Sequence, residues 1–345
     1  RKAFRYTAMK QMKKNTVIPL TVVFIVIIAV SCVYALFFKT GEDSKTDVAM
    51  GTVITVKAYG RHTSEGVENA VSAVKNLDSL ISKTNDNSDI SKINADSSAY
   101  VNEKTVSVIN KTLDVCKDSA GALDITVGNL SEMWDIGGDN QKVPTDEEIQ
   151  RGLSFVGYKN IKISGNNVSV PAGVHLDLGA SGKGAGADEA VSALRNTKGV
   201  SGAVVSVGGT VGVFGQNPNS DHWGVGVRKP ERDNTGYIAV IKLYKDSFVS
   251  TSGSYEKYFE SGGKTYHHIL SPFTGYPAES GLKSVTVVTY DSGVYADSLS
   301  TACFVLGYEK SLELLEKYSA DAFFIMDDGS VKMTDGIKDN VTMNE

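Results

Sequence analysis

The chain has 345 residues, with 35 Lys and Arg against 40 Asp and Glu, a formal charge of −5 and three cysteines. Seven of the basic residues and none of the acidic ones fall in residues 1–39, so the rest carries 28 basic against 40 acidic side chains, a net of −12. Such an acidic body disfavours a nucleic-acid partner, and its roughly 300 residues are enough to bury one substantial core, as one body or as two subdomains.

The first elements concern a membrane. Residues 1–15 hold Arg1, Lys2, Arg5, Lys10, Lys13 and Lys14 without an acidic residue, and read as a cytoplasmic basic segment. Residues 16–38 are 23 uncharged positions rich in Val, Ile, Leu and Phe, long enough to cross a bilayer as a helix. The basic flank places everything after Lys39 outside the cell. Ala-Val-Ser-Cys32 loosely resembles a lipoprotein cleavage box, yet residues 33–38 continue the apolar run where a lipidated cysteine is followed by a polar tether. An uncleaved anchor is therefore expected, with lipidation at Cys32 as the alternative. Residues 39–47 are polar and read as a linker, and the folded domain is expected over 48–345.

Within that domain the pattern predicts a strand over 50–59, a helix over 66–83 and a helix over 103–119. Residues 122–128 are too apolar for an ordinary surface loop. A helix opens at Thr145, which has a capping side chain and an acidic first turn behind it. A hairpin over 161–170 turns at Gly165, and a strand over 174–178 feeds a glycine-rich turn and a helix over 184–196. Strands follow over 203–207, 211–214, 223–227, 237–243 and 284–290, then helices over 296–306 and 309–318. A last hairpin, 322–326 with 331–333, turns on Asp327-Asp-Gly. Strands and helices do not alternate strictly, so the fold class is α+β with largely antiparallel sheet. Cys116 and Cys303 each lie in an apolar helical pattern and read as reduced core residues.

The glycine-rich turn is Asp177-Leu-Gly-Ala-Ser-Gly-Lys-Gly-Ala-Gly-Ala-Asp188. A helix start with one lysine suits a phosphorylated ligand, because N–H groups and an ammonium both face anions. Lys183 is followed by Gly184, however, so the P-loop spacing is missing, and GxGxxG after a first strand is missing too. Asp297 and Thr301 are four apart, so on a helix their oxygens share one face. A hard cation such as Mg²⁺ suits that pair, and so does a capping aspartate beside a buried threonine that bonds a helical carbonyl.

His267 and His268 are adjacent and would face opposite sides of a strand. One of them suits a general base, and a packed histidine beside a surface one fits the pattern equally. His62 and His222 lack acidic or cysteine partners at metal-ligand spacing and His175 alternates with Asp177 on one strand face, so zinc is not expected. Ser252 is offered as a nucleophile without a GxSxG elbow. Met50, at the start of a strand, suits either a thioether against a ring-shaped ligand or simple core.

Taken in order along the chain, seven stretches resemble the FAD:protein FMN transferase family, known also by the older label of ApbE thiamine-biosynthesis lipoproteins. Met50-Gly-Thr resembles its opening strand, Ala122-Leu-Asp-Ile-Thr-Val-Gly its DxTVG segment, and Asp177-Leu-Gly-Ala-Ser-Gly-Lys-Gly its DLGGIAKG segment. Ser206-Val-Gly-Gly is similar to its GG turn, and Ser250-Thr-Ser-Gly-Ser-Tyr-Glu-Lys-Tyr-Phe to its TSGxYERYF stretch. His267-His-Ile-Leu-Ser-Pro-Phe-Thr-Gly-Tyr-Pro is similar to its HHILDPxTGxP signature, and Ala296-Asp-Ser-Leu-Ser-Thr-Ala to its ADALSTA helix.

The resemblance implies a T-fold-related, two-subdomain α+β architecture of antiparallel sheets and packed helices behind one N-terminal anchor. It implies an enzyme that cleaves the FAD pyrophosphate with Mg²⁺, releases AMP and attaches FMN to a threonine of an extracytoplasmic electron-transfer protein. The metal would be held by Asp297, Thr301 and the Ala180 carbonyl. FAD would contact Met50, Ala122, Leu123, Asp124, Asp177, Lys183, His268, Ile269 and Leu270, with Thr84 where some members carry tyrosine or asparagine near the flavin. Lys183 and the cation would neutralise the transferred phosphoryl group, and His268 is the candidate base for the acceptor hydroxyl. Ser271 stands where the family commonly has Asp, and Thr210 where Asn or Asp often follows the GG turn, so neither takes a carboxylate role. A Mg²⁺-dependent FAD pyrophosphatase and a non-enzymatic flavin-binding lipoprotein are the alternatives.

Overall fold

The computed structural model describes residues 41–231 and 236–344. The expected anchor at 16–38 and Cys32 lie outside the described residues, and among those described no helix is long and apolar enough to cross a membrane. Strands β1 (Gly41–Ala49) and β2 (Thr52–Gly60) form a hairpin leading into helix α1 (Thr63–Ile81). Helix α2 (Asp89–Asp96), strand β3 (Ser98–Tyr100) and helix α3 (Glu103–Asp118) come next. The short helices α4 (Gly128–Trp134) and α5 (Asp146–Leu153) and the hairpin β4 (Lys162–Ser164) with β5 (Asn167–Ser169) precede helix α6 (Gly182–Asn196).

Then come β6 (Val200–Val207), β7 (Thr210–Gly215), β8 (Trp223–Arg228), β9 (Tyr237–Leu243) and β10 (Ser247–Gly253). The hairpin β11 (Tyr258–Ser261) with β12 (Lys264–His267) leads to β13 (Leu282–Thr289). The chain finishes with helices α7 (Gly293–Leu306) and α8 (Tyr308–Lys317) and strands β14 (Asp321–Met326), β15 (Val331–Met333) and β16 (Val341–Met343).

One eight-stranded sheet, ordered β1-β2-β6-β7-β10-β13-β14-β15, organises the fold, and every neighbouring pair in it is antiparallel. Alternation along β2 sends Ile54, Val56 and Ala58 to one face, where with Val205 and Val207 they meet Val67, Val71 and Val74 of α1 and Ala187, Val191 and Leu194 of α6. Burying a Val or Ile fully stabilises by roughly 1.5–3 kcal/mol, so this seam fixes both helices to the sheet. The opposite face carries Val213, Val249, Val288 and Phe323 against Trp223, Val225 and Ile241 of the small sheet β16-β9-β8. The antiparallel α+β expectation is met.

Three local expectations are corrected. Residues 41–47 are not a linker but most of β1, an edge strand whose side chains are polar because its outer side faces water. Thr63 donates to Asp43 at 2.6 Å and Lys75 pairs with Asp47 at 2.6 Å, tying β1 to α1. Residues 174–178 are not a strand. Their backbone bonds are divided between side-chain amides and single backbone groups: Asn94 exchanges bonds with Leu176 at 2.7 and 3.1 Å, Asn129 accepts from the His175 N–H at 2.9 Å, and the Asp177 N–H and the His175 carbonyl bond to Ile125 and Gly128 at 2.8 and 3.1 Å. The Ser-rich stretch β10, read only as a motif, is a central strand of the large sheet.

The Thr145 helix start is realised as a capping box with Glu148. Cys116 and Cys303 are buried free thiols, and burial pushes Cys303 up to about 12 and Cys116 higher still, so neither is a reactive thiolate.

Candidate active site

The site is built where α6 and α7 meet. A Cβ on Gly184 would lie 2.0 Å from the Gly293 carbonyl oxygen, and a Cβ on Gly293 would lie 2.3 Å from that of Gly184. The two helix starts therefore touch backbone to backbone, which only glycine permits. Asp188, the last residue of the glycine-rich motif, locks the crossing by accepting from the Gly293 N–H at 2.6 Å and the Ser292 hydroxyl at 2.6 Å. This carboxylate serves the N-terminus of α7 from the neighbouring helix, as an N-cap would from its own.

One turn further along α7, Asp297 is only 2% exposed. Its Oδ2 accepts the Gly184 N–H at 3.0 Å and its Oδ1 accepts the Ser250 hydroxyl of β10 at 3.0 Å. Because the Gly184 N–H turns to Asp297, the Ala180 carbonyl four residues earlier is left without a backbone donor among the described residues. Lys183 Nζ lies 3.7 Å from Asp297 Oδ1 and donates to the Gly179 carbonyl at 3.2 Å. Its stem packs on the Gly208–Gly209 turn, where a Cβ on Gly208 would stand 3.2 Å from Lys183 Cδ and one on Gly209 would stand 3.4 Å from Glu256 Oε1. Thr301, one turn after Asp297, has Oγ1 3.2 Å from Ser252 Oγ.

The charges hold one another in place. Asp297 foremost, then Glu256, raises the Lys183 pKa against the opposing effect of burial, so the ammonium is firmly charged. Glu256 is raised by burial and then by Asp297, with Lys183 pulling the other way. Its side chain nonetheless keeps exposed surface. On the far side of the motif, Lys83 Nζ reaches Asp177 Oδ2 at 2.7 Å and Ser131 Oγ at 2.8 Å. Burial would raise Asp177, but Lys83 and the Gly179 N–H more than offset it and hold the carboxyl below its usual range.

The histidine pair divides its work. His267 is buried, its Nε2 donates to the Ala278 carbonyl at 3.1 Å, its Nδ1 accepts from the Ile269 N–H at 3.3 Å, and its ring meets Phe304 edge-on. It is the packed member. His268 has Nδ1 3.2 Å from the Lys257 carbonyl, which can only accept, so Nδ1 carries the proton and Nε2 keeps its lone pair. Burial, reinforced by the Lys183 charge, pushes His268 down to about 4. Between pH 6.5 and about 4 the unfolded chain binds a proton that folded His268 refuses, so acidification through that window removes stability. Urea melts at pH 7 and pH 5 are expected to show a smaller loss for His268→Gln than for the parent, and equal losses would contradict this environment.

Met50 and Gly51 form the two-residue turn of the β1–β2 hairpin with φ of 54° and 66°. A left-handed methionine is strained. It is held by its N–H on Asp78 Oδ2 at 2.8 Å and by its thioether, which fills the notch over Gly186 where a Cβ would come within 2.8 Å of Sδ. Ala122, Leu123 and Asp124 form a buried turn, and both Asp124 oxygens are spent on it. Oδ1 takes the Thr126 N–H and hydroxyl at 2.8 and 2.6 Å and Oδ2 takes the Tyr158 N–H at 2.9 Å. Ile269 points into the core and its carbonyl accepts from Ala278, while Leu270 is half-buried and bridges to Pro277. Thr84 is exposed, 3.0 Å from the Ser82 hydroxyl.

The structure thus brings together Ala180, Lys183, Asp297 and, through β10, Thr301, with His268 near enough to feel the Lys183 charge. It gives Asp124 a structural task. Lys83, Ser250 and Glu256 are the additions. Two of the three, Ser250 and Glu256, lie in the Ser250–Phe259 stretch.

The donors at the junction are a carboxylate, a hydroxyl and a carbonyl left open by the local hydrogen bonding, which is the all-oxygen set a hard cation such as Mg²⁺ takes. Ser298, beside Asp297, has a fully buried hydroxyl with no protein partner among the described residues. Ser298→Ala is expected to stabilise the protein by about 1 kcal/mol, measured by chemical denaturation, because an unpaired buried hydroxyl is removed.

The ApbE family matches residues 50–324. The chain is 32% identical to the FAD:protein FMN transferase of Treponema pallidum, over 88% of this chain and 90% of that one. Its fold is similar to the crystal structure of the ApbE protein of Thermotoga maritima, with a TM-score of 0.80 and 31% identity over 88% of this chain and all of that one. It is also similar to the apo flavinyl transferase ApbE of Pseudomonas stutzeri, with a TM-score of 0.76 and 27% identity over 88% of this chain and 98% of that one. Because the family match begins at Met50 and runs past Thr301, it takes in every residue of the α6–α7 junction, and the chain belongs to the ApbE family.

Proposed function

We propose that this chain is an FAD:protein FMN transferase that attaches FMN to a threonine of an acceptor protein. The observation that carries the reading is the junction itself, where Asp297, Thr301 and an open Ala180 carbonyl adjoin the Lys183 ammonium. Relatives from Treponema pallidum and Vibrio cholerae bear the same activity in their names. In the reaction the threonine oxygen bonds to the phosphorus of the FMN half of FAD, the pyrophosphate bridge on that phosphorus breaks, and AMP leaves with the bridging oxygen. The hydroxyl proton needs an acceptor.

Mg²⁺ held by Asp297, Thr301 and Ala180 would neutralise charge on the transferring group. Lys183 supplies a second, fixed positive charge beside it. His268 Nε2 is the lone pair available for the proton, and an incoming phosphate would raise its pKa from the low value set by burial. Met50, pinned over Gly186, gives the isoalloxazine an apolar ledge, and the backbone of 122–124 and 268–270 lines the rest of the nucleotide. Residues 16–38 would anchor the domain on the outer face of the membrane, where an electron-transfer acceptor would be reached.

The test is incubation with FAD, Mg²⁺ and candidate acceptor, followed by mass analysis. An adduct of FMN mass on threonine with release of AMP is expected. FMN and AMP without an adduct would mean a pyrophosphatase, and bound, unchanged FAD would mean a carrier.

A further inference from the structure

We propose that Ser250 and Ser252, two apart on the helix-facing side of β10, are positioning residues that aim the oxygen lone pairs of Asp297 and Thr301 at the metal. The inference rests on the reading of those two residues as metal ligands. It follows from where each proton must go.

Ser250 is fully buried, with Oγ 3.0 Å from Asp297 Oδ1 and 2.9 Å from Thr210 Oγ1. An ionised carboxylate has no proton to give, so Ser250 donates to Asp297 and Thr210 donates to Ser250. With the Gly184 N–H on Oδ2, each carboxylate oxygen is gripped by one donor, which fixes the plane of the group and leaves its other lone pairs free. Thr210 takes no carboxylate role; as the outer end of this relay its hydroxyl orients Ser250.

The second relay is read in the same way. Ser300 Oγ donates to the Asp297 backbone carbonyl at 2.9 Å. Its single proton is thus committed, and Ser252, 2.8 Å away, must donate to it. The remaining neighbour of Ser252 is Thr301 Oγ1 at 3.2 Å, which then donates to Ser252. A threonine hydroxyl whose proton is taken up in this way presents only lone pairs to a cation. If Ser252 could not accept, that proton would be free to rotate toward the metal and oppose it. Ser252 is only 8% exposed and embedded in hydroxyls with no basic group on it, so its place is that of a partner to a ligand and not of a nucleophile.

Partners that orient ligands in this way commonly change metal affinity 10- to 100-fold, that is, about tenfold or more for each serine. The experiment is calorimetric titration of Mn²⁺ or Mg²⁺ into the intact protein without FAD, comparing the parent with Asp297→Ala, Ser250→Ala, Ser252→Ala and Ser252→Thr. Both alanine variants are expected to bind metal at least about tenfold more weakly, with Ser252→Thr staying near the parent because it keeps a hydroxyl. In turnover the KM for Mg²⁺ should rise in step while kcat at saturating Mg²⁺ changes much less.

Parent-like metal affinity in folded Ser250→Ala and Ser252→Ala variants would overturn the proposal. Should the alanine variants not fold, the near-isosteric Ser250→Cys and Ser252→Cys, with a weak donor and acceptor, decide by the same titration. If the parent and Asp297→Ala bind metal equally, the ligand reading fails and this inference falls with it. If Asp297→Ala alone loses metal, only the inference falls.

Discussion

Asp297→Ala is expected to lower FMN transfer by about 1,000-fold or more, since a cation at a phosphoryl group contributes several kcal/mol and each 1.36 kcal/mol is tenfold in rate. The substitution removes the one carboxylate of the proposed ligand set. It also strips the Gly184 N–H and the Ser250 hydroxyl of their acceptor, and Lys183 of its nearest anion. Each buried donor left unpaired costs about 1–3 kcal/mol, so the melting temperature should fall as well. Asp297→Asn separates the two effects. The amide keeps the shape and one acceptor, so it should lose comparable activity while losing less stability. Rates are read from the mass of flavin-labelled acceptor, and stability from thermal melts. Retention of more than a tenth of the parent rate by a folded Asp297→Ala would remove Asp297 from the chemistry.

Gly184→Ala and Gly182→Ala should behave in opposite ways although both lie in the same glycine-rich turn. At Gly182 the nearest atom to a new Cβ is Ile81 Cδ1 at 3.5 Å, an ordinary contact. Alanine there should be neutral or stabilise by up to about 1 kcal/mol, through the reduced freedom of the unfolded chain. At Gly184 a Cβ would meet the Gly293 carbonyl at 2.0 Å and Asp297 Cβ at 2.8 Å, with backbone on one side and the proposed ligand on the other. The helices must part or the protein must unfold. A loss of about 3 kcal/mol or more is expected, at the upper end of overpacking costs because a backbone carbonyl yields less than a side chain. Any folded fraction should also transfer FMN poorly, because the Gly184 N–H that holds Asp297 Oδ2 is displaced. Denaturant melts of the two variants side by side check this, and equal stability would contradict the close crossing of α6 and α7.

Much of this arrangement was legible in the chain, and the failures have physical causes. Helices α1 and α3 and strands β2, β6 and β9 carry strong periodicity because one face of each meets a core. Asp297 and Thr301 were visible as a pair because helical spacing alone brings them to one face. Strand β1 was hidden because an edge strand surrounded by water is polar on its open side, and β10 because its serines face Asp297 and α7 rather than apolar core. In both, local composition contradicts the element it forms, and at β10 the reason is the site. The stretch 174–178 misled in the other direction. It alternates Val174, Leu176 and Leu178 with His175 and Asp177 as a strand does, but Asn94 and Asn129 take backbone bonds at Leu176 and His175 that a neighbouring strand would make, and only single bonds to Ile125 and Gly128 remain.

Single charges were the hardest to see. Lys83 and Glu256 have no spacing relation to Asp177 or Lys183, and only the folded chain brings them together. Asp124 shows the converse, a motif residue whose carboxylate is consumed in holding Thr126 and the Tyr158 backbone, so that flavin contacts there fall to the backbone of the turn.

An anomalous-scattering map from crystals soaked in Mn²⁺ locates the cation at the α6–α7 junction directly. One peak is expected about 2.1 Å from a carboxylate oxygen of Asp297, Thr301 Oγ1 and the Ala180 carbonyl oxygen, the distance of a small divalent cation on oxygen ligands. A fully occupied peak elsewhere in the domain, or none at the α6–α7 junction with Mn²⁺ at concentrations that support turnover, would contradict it.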